Sequence, residues 1–519
     1  MSGITTLLIS PAKQVETMKI KQFLEHHGIS RNPFAEEDAQ TDPVFREYCI
    51  DSSYHPSWEK IYGDPSTPAT SLVFGEKGSG KTAIRLQIAR HLTEHNRPRT
   101  TQRSYVIHYD DFNPFLDRFR DRFSGRKRRA DRVLTEWKLW DHMDAILSLG
   151  VTGLVDEILG TRSSRHTSPG EIRSETVAKL DRHQSRDLLL LAACYDQSTQ
   201  ETFQGRWHRL RKRLKFRTWF AHWDLALGWF CLAAVAGITS SLWLKGYGAT
   251  LFTWRPLIWL LALGPWIPWA WRVWKNFHSA RHILRFLRVG NRELNPLRQV
   301  LMHFRPAEIA SQPLPCKDST DDRYELLLKF QSVLDTLGFD GVVVLVDRVD
   351  EPHLINGSAE LMKSLVWSML DNKFLKHPGI GLKLMLPIEL RRFVQREDRE
   401  FYQRARLDKQ NMIPTFEWTG EALFDIANAR LEACAQSGSA PTLRDFLDPA
   451  ISDQRLLESF RALRVPRNLF KFLYRVLVDH CNTHTDQAPE WIVSSQTYES
   501  ALTLVLREQE AFDQGTGPG

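Results

Sequence analysis

The stretch Gly75-Glu76-Lys77-Gly78-Ser79-Gly80-Lys81-Thr82 restricts the choice of fold more than any other part of the chain. It matches G-x-x-x-x-G-K-[ST] at every fixed position. Just ahead of it, Ser71-Leu72-Val73-Phe74 is a short apolar run suited to a buried strand. Just behind it, residues 82–92 place Ile84, Ile88 and Leu92 on one helical face. Strand, glycine loop and helix in that order make a cradle for phosphate. Glycines let successive N–H groups turn inward, and the helix N-terminus adds its positive end. In such a cradle residues 75–82 hold the phosphates, Lys81 reaches the β- and γ-phosphates, and the Thr82 hydroxyl sits on Mg2+. The expected ligand is a nucleoside triphosphate, ATP, with Mg2+.

A net charge of +7 invites a nucleic-acid reading, but the charge is concentrated in one place. Residues 206–290 hold fourteen Lys and Arg and a single acid, Asp224, so the remainder is net acidic. That basic segment is also the most apolar. Residues 225–244 run twenty positions without a charge, enough to cross a hydrocarbon core of ~30 Å. Residues 256–271 are uncharged between Arg255 and Arg272; residues 251–254 can lengthen this run, and Pro265 and Pro268 should kink it. Eleven of the seventeen tryptophans fall between Trp207 and Trp274, several near span ends, as interfacial belts require. Seven basic residues precede the first span and five follow the second, while the connecting loop has only Lys245 and Arg255. The positive-inside rule then puts both flanks in the cytoplasm. The expectation is a two-span hairpin in the inner (cytoplasmic) membrane, with both termini cytoplasmic. A buried helical hairpin and a re-entrant second segment are the alternatives. No secretory signal is expected in the opening residues, which lack a basic n-region. Six scattered cysteines without a C-x-x-C pair fit a reducing compartment.

A phosphate loop needs an acid at a strand end for the metal, and a second carboxylate to orient or deprotonate the attacking water. Val342-Val343-Val344-Leu345-Val346 reads as a central parallel strand, and it runs into Asp347-Arg348-Val349-Asp350-Glu351. Asp347 is assigned to the metal and Glu351 to the water, with Asp350 a competitor for the second role. Arg348 is expected to pair with a nearby acid.

This apolar run followed by Asp-x-apolar-Asp-Glu resembles the Walker B element of STAND-type P-loop NTPases. Membrane helices inserted between the two motifs further resemble the KAP family. The resemblance covers about 32–110 and 325–480. It implies an α/β P-loop NTPase with a parallel sheet, an extra strand between the two motifs, membrane association, and roles such as bacterial phage exclusion or defence. The chain departs from KAP proteins, which commonly have two adjacent Asp and an Asp-Arg pair here, and from STAND proteins in carrying Arg348 where a small residue is usual. Val465-Pro466-Arg467-Asn468 resembles the Pro-Arg that opens a lid helix in related ATPases, which implies that Arg467 touches a nucleotide phosphate.

Five segments follow: 1–125 with the first part of the core, a helical insertion at 126–205, the hairpin with its basic flanks at 206–290, the second part of the core at 291–415, and a C-terminal helical lid at 416–519. Residues 1–31 read as helical and peripheral. Asn32-Pro33-Phe34 opens a stretch that either lines the adenine or turns with Phe34 in the core. Ser104–Tyr109 reads as a strand ending in Asp110 and Asp111, either ligand-side carboxylates or helix caps. Residues 126–205 read as polar, with an exposed loop at 160–170, and 281–305 as a basic amphipathic helix. Residues 382–386 should form a further strand, with Glu389 or Arg391 near the γ-phosphate. Arg404 and Arg406 are candidate arginine fingers, and the lid has a hint of winged-helix character. The expected function is a membrane-anchored, cytoplasm-facing ATPase switch, partnered by the lipid bilayer, a homo-oligomer and an unidentified protein effector. A nucleic-acid motor or loader is the alternative and is not favoured.

Overall fold

The computed structural model describes residues 17–161, 172–199, 201–245, 254–310, 312–436 and 440–513. Most of the 160–170 loop, residues 251–253 and the last residues from 514 lie outside them. Strands β1 (Ser71–Gly75), β2 (Arg103–Tyr109), β3 (Phe339–Val346), β4 (Ile380–Pro387) and β5 (Asn411–Ile413) form one sheet. All pairings are parallel, and the order is β2-β3-β4-β1-β5, with β4 between β1 and β3. The period of two sorts their side chains. Val73, Val106, Val343, Leu345 and Met385 pack with Ile84, Ile88 and Leu92 of the helix Lys81–Asn96. Leu72, Phe74, Ile107, Val344 and Leu384 face the opposite way into the main core. Burial on both faces is what a parallel sheet between helical layers requires. The three-residue β5 was not anticipated.

On the second face lie the helices Leu139–Leu159, Arg182–Tyr195 and Asp321–Thr336. The first belongs to the stretch read as polar, yet Met143, Leu147, Val151 and Leu154 are wholly buried. Its aspartates are buried too, each met by an arginine distant in sequence. Asp141 pairs with Arg288 (2.5 Å), Asp144 with Arg323 (3.1 Å) and Asp156 with Arg206 (2.7 Å). Arg206 also reaches Asp196 at 2.6 Å, and the Tyr195 hydroxyl donates to Asp144 at 2.7 Å. Charges inside a core survive only when paired and hydrogen-bonded in this way.

Of the segment 1–31 expected to be peripheral, residues 1–16 lie outside the described residues, and the rest is not peripheral. Met18, Phe23, Leu24, Ile29 and Phe34 share a core with the helices Gly420–Cys434, Asp453–Leu463, Pro466–Thr483 and Ser495–Asp513. Arg430 fastens the two ends together, pairing with Asp42 at 2.6 Å and donating to the Pro33 carbonyl at 2.6 Å. Phe34 is therefore a core residue. Beyond the helices this unit has only isolated β-bridges among the described residues, not the paired strands of a wing.

The hydrophobic segment corrects the two-span expectation. Helix Trp223–Leu244 has 22 residues, about 33 Å at 1.5 Å per residue, and it is almost wholly exposed. Among the described residues it alone is long and apolar enough to cross a membrane. The second segment is broken into a nine-residue helix Arg255–Leu263, a 3-10 turn Gly264–Trp266, and a helix Ile267–Phe286 that carries basic residues. The physical cause is Pro265 and Pro268, which lack the N–H groups a continuous helix needs. The segments still pack together. A Cβ on Gly228 would lie 2.9 Å from the Trp266 ring, so that ring needs a glycine opposite it. At their base Arg272 pairs with the buried Asp224 at 3.1 Å and donates to the Ala221 carbonyl. The expected 281–305 helix is also divided, into the end of Ile267–Phe286 and Leu294–Leu301.

Candidate functional site

A cleft of about 1020 Å³ opens at the C-terminal ends of β1, β3 and β4, walled on its far side by the C-terminal helices. This is where open parallel sheets place their ligands. Its floor is the loop between β1 and the helix Lys81–Asn96. Gly78 (φ +86°) and Gly80 (φ +94°) adopt the left-handed conformation that curls the loop back on itself. A Cβ at Gly78 would strike Arg467 at 2.6 Å, and one at Gly75 would lie 2.5 Å from Ser79 Oγ. The concavity thus exists because these positions have no side chain.

Lys81 folds over the loop and donates to the carbonyls of Gly75 and Glu76, each at 2.8 Å. Burial lowers its pKa, and Asp347, Asp350 and Glu389 pull in the opposite direction. The Thr82 hydroxyl donates to Asp347 Oδ2 at 3.0 Å, joining the ends of β1 and β3 across β4. Asp347 is nearly inaccessible, and burial raises its pKa against the pull of Arg85, Thr82 and Lys81. Ser79 Oγ is buried without a hydrogen-bond partner, as is Arg467 Nε, although the latter lies 3.6 Å from Glu37. Buried polar atoms left open at a glycine cradle are what a polyanionic ligand would satisfy.

Asp350 and Glu351 both line the cleft. Glu351 is held by Arg348 at 3.5 Å, and its pKa is raised by burial, with Arg348 opposing and Asp350 and Asp347 adding. Arg348 (φ +59°) also lies 3.8 Å from Asp38, so it pairs with acids as expected. Glu76 lies 3.9 Å from Arg464, and Lys77 is exposed at the cleft mouth. Arg467 lines the cleft at the start of helix Pro466–Thr483, its backbone N–H donating to the Gly78 carbonyl at 3.3 Å. Glu389 reaches the cleft and Arg391 does not; Arg392 does instead. Arg404 lies over the Phe401 ring, and neither it nor Arg406 lines the cleft. Asp110 is an ion-pair partner of Arg85, and Asp111 caps Asn113 at 3.0 Å.

Two features escaped the sequence reading. Arg85, one turn after Thr82, is buried between Asp110 and Asp347, 3.2 Å from the latter. An arginine on an apolar helix face was the available signal. The Trp418 indole N–H donates to the Ser79 carbonyl at 2.8 Å, and Phe416 N–H donates to the Phe74 carbonyl at 2.8 Å. Behind them His55 stacks on Phe416 at 3.9 Å. His55 Nε2–H donates to the Glu417 carbonyl at 2.8 Å and its Nδ1 accepts from Ser57 N–H, so the ring is neutral, with its pKa pushed down to about 4 by burial. Glu37 and Asp38, from the stretch opened by Asn32-Pro33-Phe34 that was one candidate for lining the ligand, form the acidic rim.

The donor set fits a small, hard cation. Mg2+ keeps most of its waters and needs only one or two protein oxygens, which Thr82 and Asp347 offer. No larger His, Cys, Asp and Glu cluster poised for a metal exists among the described residues. No family model, no curated protein and no solved structure matches this chain.

Proposed function

We propose that the chain is a membrane-anchored, cytoplasm-facing P-loop ATPase that works as a nucleotide-driven switch, with an output in bacterial signalling or phage defence. The observation that carries this reading is the Thr82–Asp347 hydrogen bond at the mouth of the Gly75–Thr82 cradle, with Lys81 beside it. One strand between the two motif-bearing strands supports the kinship with KAP-like and STAND-type NTPases.

Gly75 to Thr82 bind and orient the triphosphate through backbone N–H groups, and Lys81 exchanges its carbonyl contacts for phosphate oxygens. Thr82 and Asp347 hold Mg2+, which when bound neutralises phosphate charge. Glu351, its basicity raised by burial, orients and deprotonates water, and Asp350 is the alternative base. Arg467 and the rest of its helix close on the phosphates and report their state to the C-terminal unit. The apolar helix Trp223–Leu244 anchors the molecule in the inner membrane, with the broken segment packed beside it.

The test is binding of a fluorescent ATP analogue with Mg2+ by the detergent-solubilised protein, and steady-state hydrolysis. Wild type should bind and turn over ATP, and Lys81→Ala should lose binding. Binding that survives Lys81→Ala would remove the assignment. Quantitative release of the protein by alkaline carbonate washing would remove the anchoring.

A further inference from the structure

We propose that the base of the hydrophobic hairpin is a binding surface for anionic phospholipid headgroups. The inference rests on the membrane reading above and adds the chemistry of the lipid. In the basic stretch 206–290 the structure separates the cations that hold the fold from those left outside. Arg206, Arg272 and Arg288 are matched by Asp156 and Asp196, by Asp224, and by Asp141. They are not available to any partner. Lys212, Lys215 and Arg217 before the hairpin, and Lys275, Arg281 and Arg285 after it, are exposed, with no acidic partner among the described residues. The only acid in the stretch, Asp224, is buried against Arg272, so no acid of the stretch itself offsets their charge.

Their level along the hairpin identifies the partner. The Asp224–Arg272 pair and the Arg272 bond to the Ala221 carbonyl tie the two polypeptide runs together at one height. At that height four tryptophans, Trp219, Trp223, Trp271 and Trp274, are all more than half exposed. On the far side begins the uncovered apolar helix Trp223–Leu244. Cations next to exposed indoles next to bare hydrocarbon reproduce the order of a bilayer interface: headgroup, ester region, acyl chain. A nucleic acid would satisfy the cations and leave the indoles and the apolar helix in water. A leaflet rich in phosphatidylglycerol or a similar monoanionic lipid satisfies all three.

The experiment is electron spin resonance of the full-length protein in phosphatidylcholine vesicles doped with spin-labelled phosphatidylglycerol or spin-labelled phosphatidylcholine. The immobilised fraction of each label reports its share of the protein boundary. Expected is a roughly three-fold or greater preference for the anionic label, falling in about 0.5 M NaCl as screening demands. Lys212→Gln/Lys215→Gln/Arg217→Gln/Lys275→Gln should abolish the preference, and the charge-keeping Lys212→Arg/Lys215→Arg/Lys275→Arg should retain it. Equal immobilisation of both labels overturns the lipid assignment while leaving the anchor intact. Immobilisation of neither label overturns the anchor as well. Loss of the anionic preference on adding an equimolar duplex oligonucleotide would transfer the surface to nucleic acid.

Discussion

Along helix Leu139–Leu159, Asp141, Asp144 and Asp156 are each answered by an arginine and sealed from solvent. In the cleft at the ends of β1 and β3, by contrast, Ser79 Oγ and Arg467 Nε are buried without hydrogen-bond partners, and Lys81 is occupied only with carbonyls of its own loop. Both regions bury charge, but only one completes it. A closed set of ion pairs fixes how pieces far apart in sequence sit together, here the inserted helices and the feet of the hairpin. An open set costs folding free energy and persists where a ligand can complete it.

That contrast predicts opposite consequences for similar-looking mutations. The largest effect is expected from Arg323→Met, which strands Asp144 in the core and should cost about 3–5 kcal/mol in thermal or denaturant unfolding. Adding Asp144→Leu should recover most of that loss. If the single variant stays within about 1 kcal/mol of wild type, the ion pairs are not architectural. In the cleft, Lys81→Ala should weaken ATP binding by about 100-fold or more, read by titration, with ligand-free stability unchanged or slightly raised. The last expectation follows because burial already disfavours the Lys81 charge. A smaller loss is expected for catalysis alone. Glu351→Gln should slow turnover about 100-fold with binding kept, and an equal drop in Asp350→Asn with Glu351→Gln active would exchange the two roles.

The smallest effect spans both regions. His55 behind the cleft and His142 on the paired helix are buried neutral rings, each with its pKa lowered to about 4 from 6.5. The His142 Nε2–H donates to the Leu365 carbonyl at 2.9 Å, and its Nδ1 accepts from the Tyr109 hydroxyl at 3.0 Å. The unfolded chain binds these protons first as pH falls below 6.5, so stability declines from there until the folded pKa near 4 is reached. Each ring should contribute about 1 kcal/mol of that decline between pH 7 and 5.5. Unfolding curves at the two pH values, with proton NMR of the ring resonances, check it. A ring that titrates near 6.5 in the native state refutes it for that residue.

The strand, loop and helix around Gly75–Thr82, and the strand leading to Asp347, were legible because each rests on local pattern: period, glycine placement, an acid at a strand end. β5 was not, since three residues cannot display a period. Helix Leu139–Leu159 read as polar because its aspartates look solvated until Arg206, Arg288 and Arg323 are brought beside them. Arg85 and the Trp418 prop were hidden for the same reason: their partners lie elsewhere in the chain. The broken second segment was foreshadowed by Pro265 and Pro268, and the break was deeper than a kink.

The order of strands also sets a timetable for synthesis. β1 and β2 leave the ribosome first, yet they are not neighbours; β3 and β4 stand between them. β2 can make no native strand pairing until β3 emerges, roughly 230 residues later, or about 10–45 s at ~5–20 residues per second, and β1 must wait longer still, for β4. The hydrophobic segment is translated within that interval. The cleft at the ends of β1, β3 and β4 is therefore completed only after the apolar helix Trp223–Leu244 has been made, so whatever surface that helix meets is met before the sheet can close.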